Sequence, residues 1–205
     1  MLKYALYAVL FLVLAALAAA GFHNTRVHFK NKKEMSRYEG AQIAVQKDLG
    51  KVLVVYYSLS GKTKDIAERI KAKTNADIYE IKTKEPMPSG RALYMGVRKQ
   101  IKTKKYPEIE TNFPDFENYD LIFAGSPVWW YTAATPVLAF LEQADFKGKK
   151  VVPFSTQGSN EGTFEKDFKA NAKNAVTASY QKFNNISPKY NSAVDNKIAE
   201  WINGL

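Results

Sequence analysis

The chain opens on an uninterrupted apolar run, Tyr4 to Ala20, preceded only by Lys3 and the amino terminus and followed by Gly21 and the polar stretch Phe22 to Lys33. A run of that kind prefers lipid or a translocon to water. Two readings fit it. A cleaved signal peptide needs a short apolar segment and a small-residue site, which Ala18-Ala19-Ala20 supplies. An uncleaved anchor needs about 17–25 apolar residues, and Tyr4 to Phe22 just reaches that length. The flanking charge favours the anchor. Arg26, Lys30, Lys32, Lys33 and Arg37 follow the run, so the positive-inside rule keeps the downstream part cytoplasmic; export after cleavage is the alternative.

Residues 23–50 mix Lys, Arg, Gln and Glu with scattered apolar positions. They are expected to form a basic linker, with a short surface helix around Met35 to Asp48, close enough to anionic headgroups to be attracted. A solvated tether fits the same residues.

Beyond Gly50 the pattern becomes regular. Lys51 to Tyr57 is a continuous β-branched and aromatic run, the mark of a strand buried on both faces. Turn residues follow, and then Thr63 to Lys73 places Ile66, Ala67 and Ile70 at helical spacing. The alternation recurs: strands at Ala76–Ile81, Tyr119–Ala124, Lys149–Ser155 and, more weakly, Ala178–Phe183; helices at Arg91–Ile101, Pro136–Gln143, Thr163–Asn174 and Ser192–Ile202. Five strands alternating with helices predict a parallel sheet covered on both faces, a three-layer α/β sandwich over residues 51–205. The chain thus divides into an apolar segment at 1–22, a linker at 23–50 and this domain.

Composition narrows the chemistry. With no Cys there is no thiolate nucleophile, redox disulfide or Cys-rich metal site, and both histidines, His23 and His28, precede the domain. A Ser/His/Asp triad within the domain is therefore excluded. No metal ligand set and no catalytic side chain is expected; redox or transfer chemistry would have to come from a bound cofactor.

In an open parallel sheet, ligands sit beyond the carboxyl ends of the strands at the topological switch point. Three loops there are unusual. Ser58-Leu59-Ser60-Gly61-Lys62-Thr63 leads from a buried strand into a helix N-terminus, where free backbone N–H groups, hydroxyls and a glycine suit a phosphate. It is not a nucleotide-binding GxxxxGK[ST] loop, because Tyr56 occupies the position of the first glycine. Ser and Thr acting only as helix caps is the plainer alternative. Gly125-Ser-Pro127-Val128-Trp129-Trp130-Tyr131-Thr132 sets three aromatics in a row, costly to leave in water and able to wall a planar ligand. Thr156-Gln157-Gly158-Ser159-Asn-Glu-Gly162 is polar and suited to backbone contacts with the ligand's other edge. A ligand with a terminal phosphate and a flat heteroaromatic ring matches all three, and flavin mononucleotide (FMN) is such a ligand.

These features resemble the flavodoxin family, in particular a bacterial branch with a Trp-rich second loop. The resemblance rests on Ser58-Leu-Ser-Gly-Lys-Thr63, on Tyr119-Asp-Leu-Ile-Phe-Ala-Gly-Ser-Pro-Val-Trp-Trp130 and on Gly148-Lys-Lys-Val-Val-Pro-Phe-Ser-Thr-Gln-Gly158, in that order. It implies a five-stranded sheet of order 2-1-3-4-5. It also implies phosphate contacts from Ser58, Ser60, Lys62 and Thr63, ring contacts from Pro127, Trp129 and Trp130, and flanking contacts from Thr156 to Ser159. Tyr131 stands where the branch usually has Gly, and Gln157 replaces a small residue; both narrow the expected ring pocket.

Electron transfer through bound FMN is the expected function. An FMN-dependent quinone or NAD(P)H reductase is a variant of it, although no GxGxxG nicotinamide fingerprint is present. A flavin-free, membrane-tethered scaffold or interaction domain is the alternative from another class. The formal charge of +10 changes the picture of partners. Members of the family are usually acidic. Here Arg91 to Lys105 holds Arg91, Arg98, Lys99, Lys102, Lys104 and Lys105 with no acid between them, which suits an acidic redox protein or an anionic membrane surface. No nucleic-acid module is present, and no nucleic acid is expected as a partner.

Overall fold

The computed structural model describes residues 2–184 and 187–205; Met1, with which the predicted apolar segment begins, lies outside them. The apolar run is part of one long helix, α1 (Leu2–Met35), which continues beyond the run's end. Then follow β1 (Val52–Tyr56), α2 (Lys62–Thr74), β2 (Asp77–Glu80), α3 (Gly90–Thr103), β3 (Leu121–Trp129), β4 (Thr132–Ala133), α4 (Thr135–Gln143), β5 (Lys150–Gln157), α5 (Phe164–Asn171), β6 (Val176–Thr177), β7 (Gln181–Asn184) and α6 (Asn191–Asn203).

The sheet has the order β2-β1-β3-β5-β6, with β7 also pairing β5 and β4 pairing β3. The expected five positions are present, filled by six strands, and the seventh, β4, is an antiparallel addition to the end of β3. Two differences have local causes. The weak fifth strand is split into β6 and β7. The carbonyls of Lys149 and Val151 accept from Val176 and Ala178, so odd-numbered residues of β5 aim at the fifth position; the next of them is Pro153, which has no N–H to give. Pairing resumes only at Phe154 with Gln181. The second difference concerns β3, which does not end at Ala124. Gly125, Ser126 and Pro127 stay paired with Phe154, Ser155 and Thr156 of β5. Gly125 is required there, because a Cβ would meet the Phe154 ring at 2.1 Å.

Strand periodicity sorts the core into two layers. Leu53, Val55, Ile122 and Val151 face Phe140, Phe146, Phe164 and Phe168 on one side of the sheet. Val54, Phe123, Val152 and Phe154 face Ile66, Ile70, Ile198 and Ile202 of α2 and α6 on the other.

Residues 23–50 differ most from expectation. The helix around Met35 to Asp48 is absent: α1 ends at Met35, and 42–50 forms neither helix nor strand. Met35 is fully buried within the α2/α6 layer. The Asn31 side-chain oxygen, Oδ1, accepts from the Asn184 side-chain amide at 2.8 Å. Lys197, 2 % exposed, donates to Glu34 at 2.6 Å. Asn196 holds Tyr38, Ala41 and Ile43 through their backbone, and Asn203 holds Ala44 and Gln46. The segment expected as a linker is hydrogen-bonded to α6 along that helix's length.

Candidate functional site

The three loops singled out in the sequence converge at the carboxyl ends of β1, β3 and β5. After β1, Gly61 caps α2 in the left-handed region (φ 82°), with no side chain capping the helix. A Cβ on Gly61 would meet nothing within 4 Å, so the space before the first turn is open. The first N–H groups of α2 lie at this opening and lack intrahelical partners. Ser58 presents a hydroxyl that is buried and has no hydrogen-bond partner, the one such side-chain atom among the described residues. An unpaired buried hydroxyl costs about 1–3 kcal/mol. Thr63, expected to offer a hydroxyl, shares a buried hydrogen bond with Thr156 at 2.8 Å, joining the first loop to the third. Ser60, Gly61 and Lys62 border a cavity of about 330 Å³ that extends between α2 and α6 to Arg69. Leu59 is exposed.

The second loop is a hairpin tip. Val128 and Trp129 pair with Ala133 and Thr132, leaving Trp130 and Tyr131 as the turn, with φ of 48° and 66°. Positive φ at both central residues defines a type I′ turn, normally made by Asn-Gly or Gly-Gly. Tertiary contacts hold the bulky pair in place. Trp130 Nε1 donates to the Tyr94 carbonyl at 2.9 Å; its ring lies on Tyr94 with centroids 4.3 Å apart, and the Arg98 guanidinium sits 5.3 Å from its centroid. The Tyr131 carbonyl accepts from the N–H and hydroxyl of Thr163 at 2.7 and 3.2 Å. Gly162 permits this approach: a Cβ there would lie 2.3 Å from that carbonyl oxygen. Trp129 turns inward and meets Tyr57 edge-on at 5.7 Å. Burial, with the charge of Glu80 adding to it, pushes the Tyr57 phenol up to about 12, so it stays protonated at neutral pH.

In the third loop, Thr156 and Gln157 belong to β5 and are buried, and Pro127 pairs with Thr156. The Gln157 amide donates to Asn184 and accepts from Ser155, whose hydroxyl is also shared with Tyr180. Glu161 is held ionised: burial opposes its charge, but the Lys182 hydrogen bond and charge, with Lys30 of α1 assisting, outweigh it.

Val128, Trp130 and Tyr131 face Gln157, Gly158 and Ser159 across a cavity of about 250 Å³. A second, more apolar cavity of about 400 Å³ lies between Trp129, Trp130 and α3. Tyr94, Arg69 and Asn184 are not among the residues the sequence points to, and Arg98, expected only as part of the basic run 91–105, lies against the Trp130 ring. Arg69 follows Lys62 and Ile66 at helical spacing, a legible signal; Tyr94 and Asn184 reach the site through tertiary contacts that no local pattern marks.

A doubly wound sheet with a phosphate-type helix N-terminus beside an aromatic-walled cleft defines the class of flavodoxin-like proteins. The family model described as Flavodoxin matches residues 51–205, and the chain belongs to that family. Among solved structures, a flavoprotein from Lactobacillus acidophilus in complex with FMN is similar at 31 % identity, covering 64 % of this chain and 92 % of its own, with a TM-score of 0.60. Flavoproteins from Bacteroides eggerthii and Bacteroides uniformis share 27 % and 26 % identity, cover 75 % and 76 % of this chain and 96 % and 99 % of their own, and have TM-scores of 0.62. No curated protein matches this chain.

Proposed function

We propose that this protein binds FMN at the carboxyl edge of the sheet and passes electrons through it while anchored to a membrane by α1, with the domain on the cytoplasmic side. The Ser58 hydroxyl is the observation that carries the cofactor proposal: buried, without a partner and next to the open N-terminus of α2, it fits a phosphate oxygen. The FMN named with the similar Lactobacillus flavoprotein supports the same ligand. Ser58 and the α2 N–H groups would hold the phosphate. Trp130 and Tyr131 would bound the ring on one side and Gln157 to Ser159 on the other. When bound, FMN supplies electron-transfer chemistry that these side chains lack. The protein's own part is to bind, to orient the ring and to limit its contact with water.

The anchor rests on α1, which is apolar enough to cross a membrane, and on the cations that follow the apolar run. Full-length protein purified in detergent and incubated with FMN is expected to acquire flavin absorbance and to quench flavin fluorescence. A preparation that stays colourless with unchanged flavin fluorescence would reject FMN binding and leave the scaffold alternative.

A further inference from the structure

The contacts between α1 and the domain give the chain a direction. Asn31 meets Asn184, at the carboxyl end of β7; Glu34 meets Lys197; Asn196 holds the backbone at 38–43; Asn203, in the last turn of α6, holds Ala44 and Gln46. From Asn31 onward the chain descends from the carboxyl edge of the sheet to the amino edge, where it enters β1. The helix before Asn31 therefore projects beyond the carboxyl edge, the side bearing the three loops. At 1.5 Å per residue, Asn31 lies only about 14 Å along the axis from Phe22, the end of the apolar run.

The surface of that edge fits the same orientation. Outside α1, the exposed large apolar side chains of the described residues are Leu59, Tyr94, Met95, Tyr131 and Val176. The first four belong to the first loop, the α3 turn against Trp130, and the hairpin tip; Val176 lies at the amino end of the sheet. Aromatic residues suit the headgroup zone, and the intervening cations of α1, Arg26 and Lys30 among them, suit anionic lipid. Glu161, the acid of the third loop, is paired with Lys182.

We propose that the carboxyl edge of the sheet, with its three loops, is a membrane-docking surface seated on the anionic headgroups of the bilayer that α1 spans. This rests on the anchor reading of α1. The cofactor site then opens toward lipid, and a redox partner reaches it at the membrane surface.

The cysteine-free chain permits a direct test. Full-length Val9→Cys, Leu59→Cys, Met95→Cys and Val176→Cys variants, each spin-labelled, are placed in nanodiscs of phosphatidylcholine and phosphatidylglycerol. Collisions with oxygen and with an aqueous nickel chelate are then measured. Labels at 59 and 95 are expected to lose nickel collisions relative to the detergent sample, the label at 176 to keep them, and the label at 9 to show the oxygen-rich signature of hydrocarbon. Omitting phosphatidylglycerol is expected to reduce the loss at 59 and 95. A label at 9 in hydrocarbon with those at 59 and 95 in bulk water would overturn the docking surface alone. A label at 9 in water would overturn the anchor as well. Equal protection without the anionic lipid would overturn the part assigned to charge.

Discussion

Two residues show how the site is prepared for a ligand at a cost to the fold. The Ser58 hydroxyl has lost water without gaining a partner. Ser58→Ala removes the unpaired group, so the cofactor-free protein should gain about 1 kcal/mol, while FMN affinity should fall about tenfold or more through loss of a hydrogen bond to a charged phosphate. Urea denaturation without FMN and a fluorescence titration with it read the two effects. Changes of the same sign would contradict the assignment. Tyr131 is the second case: at φ 66° its Cβ crowds the following carbonyl, a cost of about 1–2 kcal/mol that glycine avoids. The contacts tying this residue to Thr163 use its backbone carbonyl and survive substitution. Tyr131→Gly should therefore raise the denaturation midpoint, offset in part by the greater freedom of glycine in the unfolded chain. A lower midpoint would mean that the exposed ring supplies packing worth more than the strain.

At the scale of elements, the docking of α1 on α6 depends on the buried Lys197 and its partner Glu34. Glu34→Gln removes the counter-charge of the buried ammonium and leaves it a neutral amide oxygen and the Lys182 carbonyl as acceptors, and should cost about 2–3 kcal/mol, below the full penalty for an orphaned buried charge. Lys197→Met keeps the volume and removes the charge, and should cost less. The pH dependence has a definite sign. Burial pushes the Lys197 ammonium below the ordinary lysine range, against the opposing hydrogen bond and charge of Glu34. Between that lowered value and the unfolded value of about 10.4, the unfolded chain binds more protons, so stability contributed by this group rises with pH across the window. Lys197→Met should flatten that rise in denaturation curves taken at alkaline pH; an unchanged slope would assign it to other groups. The same elements show what sequence makes legible. Helices α2, α3, α4 and α6 lie within two residues of their expected ends, since apolar periodicity is a local signal. Pro153 was visible, but its effect on the fifth strand depends on which neighbour its missing N–H faces, a property of register. The aromatic loop was legible as composition, whereas its tight turn was not, because Trp-Tyr is disfavoured there and is held by Tyr94, Arg98 and Thr163 from distant parts of the chain. The docking of residues 31–46 was hidden for a similar reason: its polar partners, Asn184, Asn196 and Asn203, carry no hydrophobic period.

For the whole molecule, the excess of positive charge acts on whatever is bound at the carboxyl edge. Residues 1–20 contribute only Lys3 to the +10, so nearly all of the excess lies in the part that follows the apolar run. Reducing a bound flavin adds electrons, and a positive surroundings stabilises any negative charge that is not neutralised by a proton. One cation about 10 Å away contributes only roughly 0.4 kcal/mol in unscreened water. No single surface lysine should therefore dominate, whereas the summed field should be measurable, and salt should weaken it because the Debye length is about 8 Å at physiological ionic strength. The FMN-loaded full chain should have a less negative reduction potential than acidic flavodoxins in a potentiometric titration, and the potential should become more negative as salt is added. Lys62→Glu, at the first loop, should move it the same way by a smaller amount than salt does. A potential as low as that of acidic members and insensitive to salt would show that local contacts with the flavin, rather than the charge of the whole chain, set its redox energy.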